Sequence, residues 1–187
     1  MNMLKGLLNF IMEILETITF VGSLFIVLYL FIAQPHQVNG RSMDNTFHNG
    51  DYILTSKISY RFKNPGIGDI IVFKSPQNPD IDFIKRVIGL PGDKIRIQEG
   101  KVYDNNLSLN EFYINPESDT SGGAFLAEGQ EVTVPEGHLF VMGDNRSHSS
   151  DSREFGFIPQ QDIIGQVVFR YFPPPKIGPI KNPYHKK

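Results

Sequence analysis

Cysteine is absent from the 187 residues. That removes disulfides, thiol nucleophiles and thiolate metal sites. It suits a chain that meets an oxidising exterior without fixing a compartment. An excess of charge of one sign is lacking too: 18 Lys and Arg stand against 20 Asp and Glu, a net charge of −2. No basic surplus points to a nucleic-acid partner. There is no H-E-x-x-H, so metal hydrolysis has no motif to stand on. Internal repeats and low-complexity tracts are missing, as is the alternation of strands with long helices that marks α/β folds. What is present is one domain's worth of chain plus an appendage. About 150 residues follow the first apolar segment, enough to bury roughly 70% of their unfolded surface. The 15 Phe and 13 Pro suggest a body rich in strands and loops.

Thr17–Ala33 reads TITFVGSLFIVLYLFIA, 17 residues without a charge. This is the low end of the length that spans a bilayer. Lys5, Glu13 and Glu16 precede it and Arg41 follows at a distance, so the charge bias across it is weak. A cleaved signal peptide would have a shorter apolar core and a small-residue site; here the run ends in Ala33-Gln34-Pro35. A buried soluble helix is the other alternative. The expectation is a single transmembrane anchor over 1–34, its helix stopped by Pro35.

Beyond it, short β-rich runs alternate with turn residues. Strands are expected at 52–58, 69–74, 82–89, 94–98, 101–104, 131–134, 138–142 and 163–171, with Glu99-Gly100 as a hairpin turn. The fold class is mainly β: an antiparallel body over 35–98 and 131–175, and a small inserted lobe over 99–130. A mobile tail is expected over 176–187.

Three segments can carry chemistry. In Gly40-Arg41-Ser42-Met43-Asp44-Asn45-Thr46 a serine sits in a potential tight turn, but Asp44 stands where a nucleophile elbow needs its second glycine; an ordinary polar loop reads the same way. In Phe83-Ile84-Lys85-Arg86-Val87-Ile88-Gly89-Leu90-Pro91-Gly92-Asp93, strand alternation puts Lys85 with Phe83 and Val87, and Arg86 with Ile84 and Ile88. The bland reading is an edge strand whose cations reach out to water. The sharper one is a cation kept inside, and lysine suits that, because burial lowers its pKa. The run Met142–Gly156 is too polar for an ordinary turn. A calcium loop from Asp144 would want Gly at Ser149 and an acid at Phe155. Asp151 and Arg153 can pair there as loop structure, while Ser149 or His148 can touch a catalytic group. None of His36, His48, His138, His148 and His185 sits in a motif that pairs it with Ser42.

In this order, the segments resemble the type I signal peptidases. The nucleophile box of that family resembles Ser42-Met43-Asp44-Asn45-Thr46, with Asn45 in place of a proline. Its lysine box is similar to Lys85–Asp93, its third box to Gly143–Arg153, and Gly68-Asp69-Ile70-Ile71-Val72-Phe73 also looks like the family. The likeness runs from the anchor to about Phe172. It implies Ser42 as nucleophile and Lys85 as general base, with Ser149 hydrogen-bonded to the lysine amine and Asp151 and Arg153 bracing the loop. The Ser42 N–H would serve the oxyanion; Gly40 stands where some members carry a serine that also donates. Val38, Met43, Phe47, Phe83 and Ile84 would form shallow apolar walls for small side chains. The implied activity is removal of leader peptides after Ala-x-Ala-like sites through an acyl-enzyme, without metal or cofactor. The implied partners are signal peptides, the lipid bilayer and the secretion machinery, with no nucleic acid. The implied place is the cell membrane, single-pass, with the catalytic body on the extracytoplasmic side. Two rivals remain at this point: a self-cleaving repressor-type Ser/Lys protease, which would need a DNA-binding domain where the apolar run stands, and a membrane-tethered β module without activity.

Overall fold

A computed structural model describes residues 2–115 and 118–184. It opens with helix α1, Asn2–Val27, continued by a π-helical turn, Leu28–Ile32. Met3–Ile32 is long and apolar enough to cross a membrane. Its large side chains face outward all round, with Phe20 67% and Phe25 65% exposed. From Thr17 on it carries no charge, and a helical stretch apolar on every side suits a bilayer better than water. Thr17 and Thr19 turn their hydroxyls back onto the carbonyls of Glu13 and Leu15, which satisfies them inside the helix.

The helix ends before Pro35, not at it. Ala33 is already extended at φ −149°, and Ala33–Gln37 forms strand β1. The residue ahead of a proline avoids the α region. Proline itself, lacking an N–H, is tolerated at a sheet edge, and β1 is the edge. The chain then forms β2 (Tyr52–Ser56), α2 (Ser59–Phe62), β3 (Ile70–Lys74), β4 (Asp82–Gly89), β5 (Lys94–Gln98), β6 (Lys101–Asp104), β7 (Leu107–Ser108), β8 (Glu131–Thr133), β9 (His138–Met142), α3 (Ser152–Phe155), β10 (Ile158–Pro159), β11 (Ile163–Phe172) and β12 (Gly178–Pro179).

The fold is mainly β, in two antiparallel sheets. The larger runs β1-β2-β11-β3-β4-β9-β10, with β12 added to β11, and the smaller β7-β6-β5-β8. The smaller sheet thus takes in β5 and β8, reaching beyond 99–130 on both sides. Glu99 (φ 52°) and Gly100 (φ 74°) make its hairpin turn, as a two-residue loop between twisted strands requires. The central strands β3 and β9 are apolar on both faces, as strands covered on both sides are. In β9, Leu139 and Val141 enter one core cluster, and Phe140 and Met142 the cluster shared with the small sheet. A third cluster, with Val38, Met43, Phe47 and Ile53, lies under the loop between β1 and β2.

The segment expected to be mobile from 176 is seated on the body as far as Tyr184. β12 pairs with β11, and Asn182 Nδ2 donates to the Ile67 carbonyl at 2.9 Å and to Asp69 Oδ1 at 2.8 Å. Residues 185–187 of that expectation lie outside the described residues.

Candidate active site

The loop between β1 and β2 is closed at its base, where the Val38 N–H donates to the Asp51 carbonyl and the Gly50 N–H to the Val38 carbonyl, each at 2.8 Å. Met43 and Phe47 are driven into the core beneath, 1% and 0% exposed. That pins the loop from below and leaves Ser42 half-buried above. Gly40 has φ +102°, and its N–H is taken by Asn49 Oδ1 at 2.9 Å. Asn45 sits at φ +91°, a left-handed backbone that asparagine tolerates and that proline, fixed near −65°, cannot adopt.

Lys85 comes from the opposite side, from β4 in the middle of the large sheet. It is 4% exposed. Its Nζ is 3.0 Å from Ser42 Oγ and donates to the Ile84 carbonyl at 3.1 Å. It also lies 4.9 Å from the centre of the Phe83 ring. Burial lowers its pKa from 10.5 to about 8; Asp151 and Asp144 pull it back up and Arg153 helps to lower it. The acids lose that contest because each is already bound to an arginine, Asp151 to Arg153 and Asp144 to Arg86. The edge-strand reading of this segment therefore fails, and both cations stay inside. Arg86, 2% exposed, makes a bidentate pair with Asp144 at 2.8 and 2.6 Å.

The third segment wraps the pair. Asp151 Oδ2 accepts from the Gly143 N–H at 3.0 Å, and its Oδ1 accepts from Arg153 Nε at 2.8 Å. Arg153 Nη2 donates to the Arg146 carbonyl at 2.7 Å. Arg146, wholly buried, ties Gly143 to the small-sheet side through Glu111 and Thr120. The segment reaches the serine loop directly, since the Asn145 N–H donates to the Ser42 carbonyl at 3.0 Å. Gly143 has to be glycine here. A Cβ on it would lie 2.3 Å from Ser149 Oγ and 2.4 Å from the Ser42 carbonyl oxygen.

Ser42, Lys85, Ser149, Asp151 and Arg153 are thus brought together, with one difference from expectation. Ser149 Oγ does not hydrogen-bond the lysine; it is buried with no partner. A cleft of about 580 Å³ runs past Ser42 and Lys85, lined by Val38, Gly40, Phe83 and Ile84. Met43 and Phe47 do not line it, because they form the core below. Ile53, Val72 and Ile81 line it in their place; their apolar character is visible in the sequence, their place opposite the serine loop is not. His36 is another cleft residue that sequence reasoning passed over. Its Nδ1 is 3.1 Å from Thr55 Oγ1 and its Nε2 3.6 Å from Asp82, so both nitrogens face protein groups other than Ser42. Arg86, Asp144 and Thr46 were also given no role. They knot the three segments together, Thr46 Oγ1 bonding Asp144 and accepting from Arg86 Nη2. Among the described residues no group of three or more His, Asp or Glu is placed to hold a metal ion.

A buried amine of lowered pKa touching a serine hydroxyl, beside an open apolar cleft, is equipped for acyl transfer. The family model for signal peptidase, peptidase S26, matches residues 11–172. The chain is 39% identical over 177 residues to a probable signal peptidase I-1 of Synechocystis sp., covering 91% of this chain and 87% of that one. It is 34% identical over 175 residues to signal peptidase IB of Staphylococcus aureus, covering 86% and 91%. The crystal structure of a signal peptidase I from Enterococcus faecalis V583 shares 35% identity at a TM-score of 0.47, covering 56% of this chain and 97% of that one.

Proposed function

This chain belongs to the signal peptidase family, peptidase S26, a family of hydrolases, and we propose that it cuts leader peptides from secretory precursors by a Ser42–Lys85 dyad. One observation carries the mechanism: the buried Lys85 amine lies 3.0 Å from Ser42 Oγ. In its neutral form Nζ accepts the serine proton across that contact while Oγ attacks the scissile carbonyl. The Ser42 N–H receives the developing oxyanion. Gly40 contributes backbone shape, since its N–H is occupied by Asn49. Lys85 passes the proton to the departing amine, leaving an ester on Ser42. It then takes a proton from water, whose oxygen attacks the ester. Lys85 returns that proton to Ser42 Oγ as the intermediate collapses, which releases the leader's new carboxylic acid and restores the Ser42 hydroxyl and the neutral amine.

The cleft walls of Val38, Ile53, Val72 and Ile84 support a preference for small apolar side chains before the cut, as in Ala-x-Ala. The outward-facing apolar surface of α1 supports a single-pass anchor; the extracytoplasmic side is proposed for the catalytic body because a secreted precursor has to be cut where its mature part arrives. The test uses the full chain in detergent, a precursor whose leader ends in Ala-x-Ala, and mass spectrometry of the products. One cut after that site is expected, absent in Ser42→Ala. Cleavage by Ser42→Ala at the parent rate would overturn the assignment.

A further inference from the structure

The turn that follows β2 is bound to the end of α1. Ser56 pairs with Ala33, the Lys57 N–H donates to the Ile32 carbonyl at 2.9 Å, and the Lys57 ammonium lies 5.4 Å from the centre of the Tyr29 ring. Residues 57–64 read Lys-Ile-Ser-Tyr-Arg-Phe-Lys-Asn, three cations and no acid. Among the described residues Lys57, Arg61 and Lys63 form no ion pair, whereas Arg86, Arg146, Arg153 and Arg170 each hold a carboxylate. The short helix α2 turns two rings in opposite directions. Tyr60 goes inward, its hydroxyl 3.1 Å from Asp69. Phe62 goes outward and is 85% exposed, more than any other large apolar side chain described outside α1.

An unpaired basic cluster around an outward aromatic, fastened to the end of an apolar helix, has the chemistry of a headgroup layer. Aromatic rings settle at that depth, long cations keep their charge at the phosphates while their stems lie along apolar surface, and anionic lipid attracts them. We propose that Lys57–Lys63 is a second membrane contact, in which Phe62 enters the headgroup layer and Lys57, Arg61 and Lys63 sit on the phosphates of anionic lipid. The proposal rests on the reading of α1 as a bilayer anchor. The contact adds a second point of attachment beside α1, and two points fix the height and tilt of the body on the membrane.

The chain has no tryptophan, so one substitution supplies a lone reporter. Three full-length variants are placed in nanodiscs containing lipid brominated near the headgroup end of its chains: Phe62→Trp, Phe25→Trp in the anchor, and Phe112→Trp, at a position 65% exposed on the small-sheet side. Quenching is expected at positions 25 and 62 and not at 112. Quenching at 62 should grow by about twofold as phosphatidylglycerol replaces phosphatidylcholine, and adding R61Q and K63Q should remove that growth. Quenching at 25 without quenching at 62 overturns the contact and leaves the anchor standing. No quenching at 25 defeats the anchor, and the contact with it. Equal quenching at 62 and 112 shows the whole body lying on the bilayer, and quenching at 62 that ignores lipid charge removes the phosphates; either overturns the proposal as stated.

Discussion

Lys85 has to be both buried and reactive, and the two demands meet in one quantity. The folded chain holds the lysine proton less tightly than the unfolded chain, with a pKa of about 8 against 10.5. Folding therefore carries a cost of about 3 kcal/mol below pH 8, which fades as pH rises from 8 to 10.5. Lys85→Met keeps an unbranched stem without an amine to desolvate. It should lose cleavage, yet unfold at higher urea than the parent at pH 7, with the gap closing toward pH 10.5. Lys85→Arg keeps the charge but not the removable proton, and should lower kcat/KM by about 10³-fold or more. An ion-pair role would give the reverse, arginine tolerated and methionine harmful. In the parent, kcat/KM should rise with pH on an acid limb near 8. Ser149 poses a different question, because its hydroxyl is buried, unpartnered and beside the serine loop. Removing an unsatisfied hydroxyl costs little stability. Ser149→Ala should hold or gain up to about 1 kcal/mol by urea titration. We expect its kcat to fall about 10-fold at constant KM, because the hydroxyl is free to accept from the ammonium once Lys85 has taken the proton; an unchanged kcat would make it a spectator. At Asn45 the φ of +91° sets the outcome. Asn45→Pro should cost more than about 1 kcal/mol in thermal unfolding and Asn45→Gly much less; a stable, active proline variant would show that the loop has another shape in solution.

β4 shows how far elements can be read from sequence. Its bounds, Asp82–Gly89, match the expectation, because an apolar run closed by Leu-Pro-Gly-Asp is a local pattern. β1 was missed for the converse reason. Ala-Gln-Pro-His-Gln has no β signature, and the strand exists because its register on β2 supplies it. Strands β7, β10 and β12 are two residues long, too short to leave a period. In the site, residue types and order were legible: a lysine on an apolar strand, a serine beside glycine, a loop too polar to be a turn. The partner of Arg86 was not, since Asp144 lies 58 residues away and no local rule links them. That pair joins β4 to the end of β9, and through Thr46 to the serine loop. Asp144→Ala leaves the guanidinium buried without its counter-charge and should cost about 3–5 kcal/mol in urea unfolding. Replacing both, as R86M with D144L, should recover most of that loss. If Asp144→Ala alone is nearly neutral, the knot does not hold the three segments.

For the molecule as a whole, the short path from anchor to chemistry matters most. β1 follows Ile32 directly, and its residues His36 and Gln37, with Val38 just after it, already line the cleft. Five residues of strand reach about 17 Å at most. The proposed nucleophile therefore stands close above whichever bilayer face α1 emerges from. A leader peptide is itself an apolar segment lodged in that bilayer, so its end and the cleft are brought to the same height without a long search. The charge pattern does not choose the face. Lys5, Glu13 and Glu16 lie before the uncharged stretch Thr17–Ala33, while Lys57, Arg61 and Lys63 follow it, which weakens any bias that loop charge would impose. Chemistry chooses it instead, because a precursor has to be cut where its mature part has arrived. The catalytic body is therefore expected on the outer face. Protease added to intact spheroplasts should digest the body to a short membrane-held fragment containing α1 while a cytosolic protein stays whole. The hydrogen-bonded strands of the two sheets will slow that digestion, so a protease-sensitive linker inserted after Pro175 supplies a fast reporter cut. A body that stays whole until the spheroplasts are lysed, reporter linker included, would place it on the inner face and overturn the orientation.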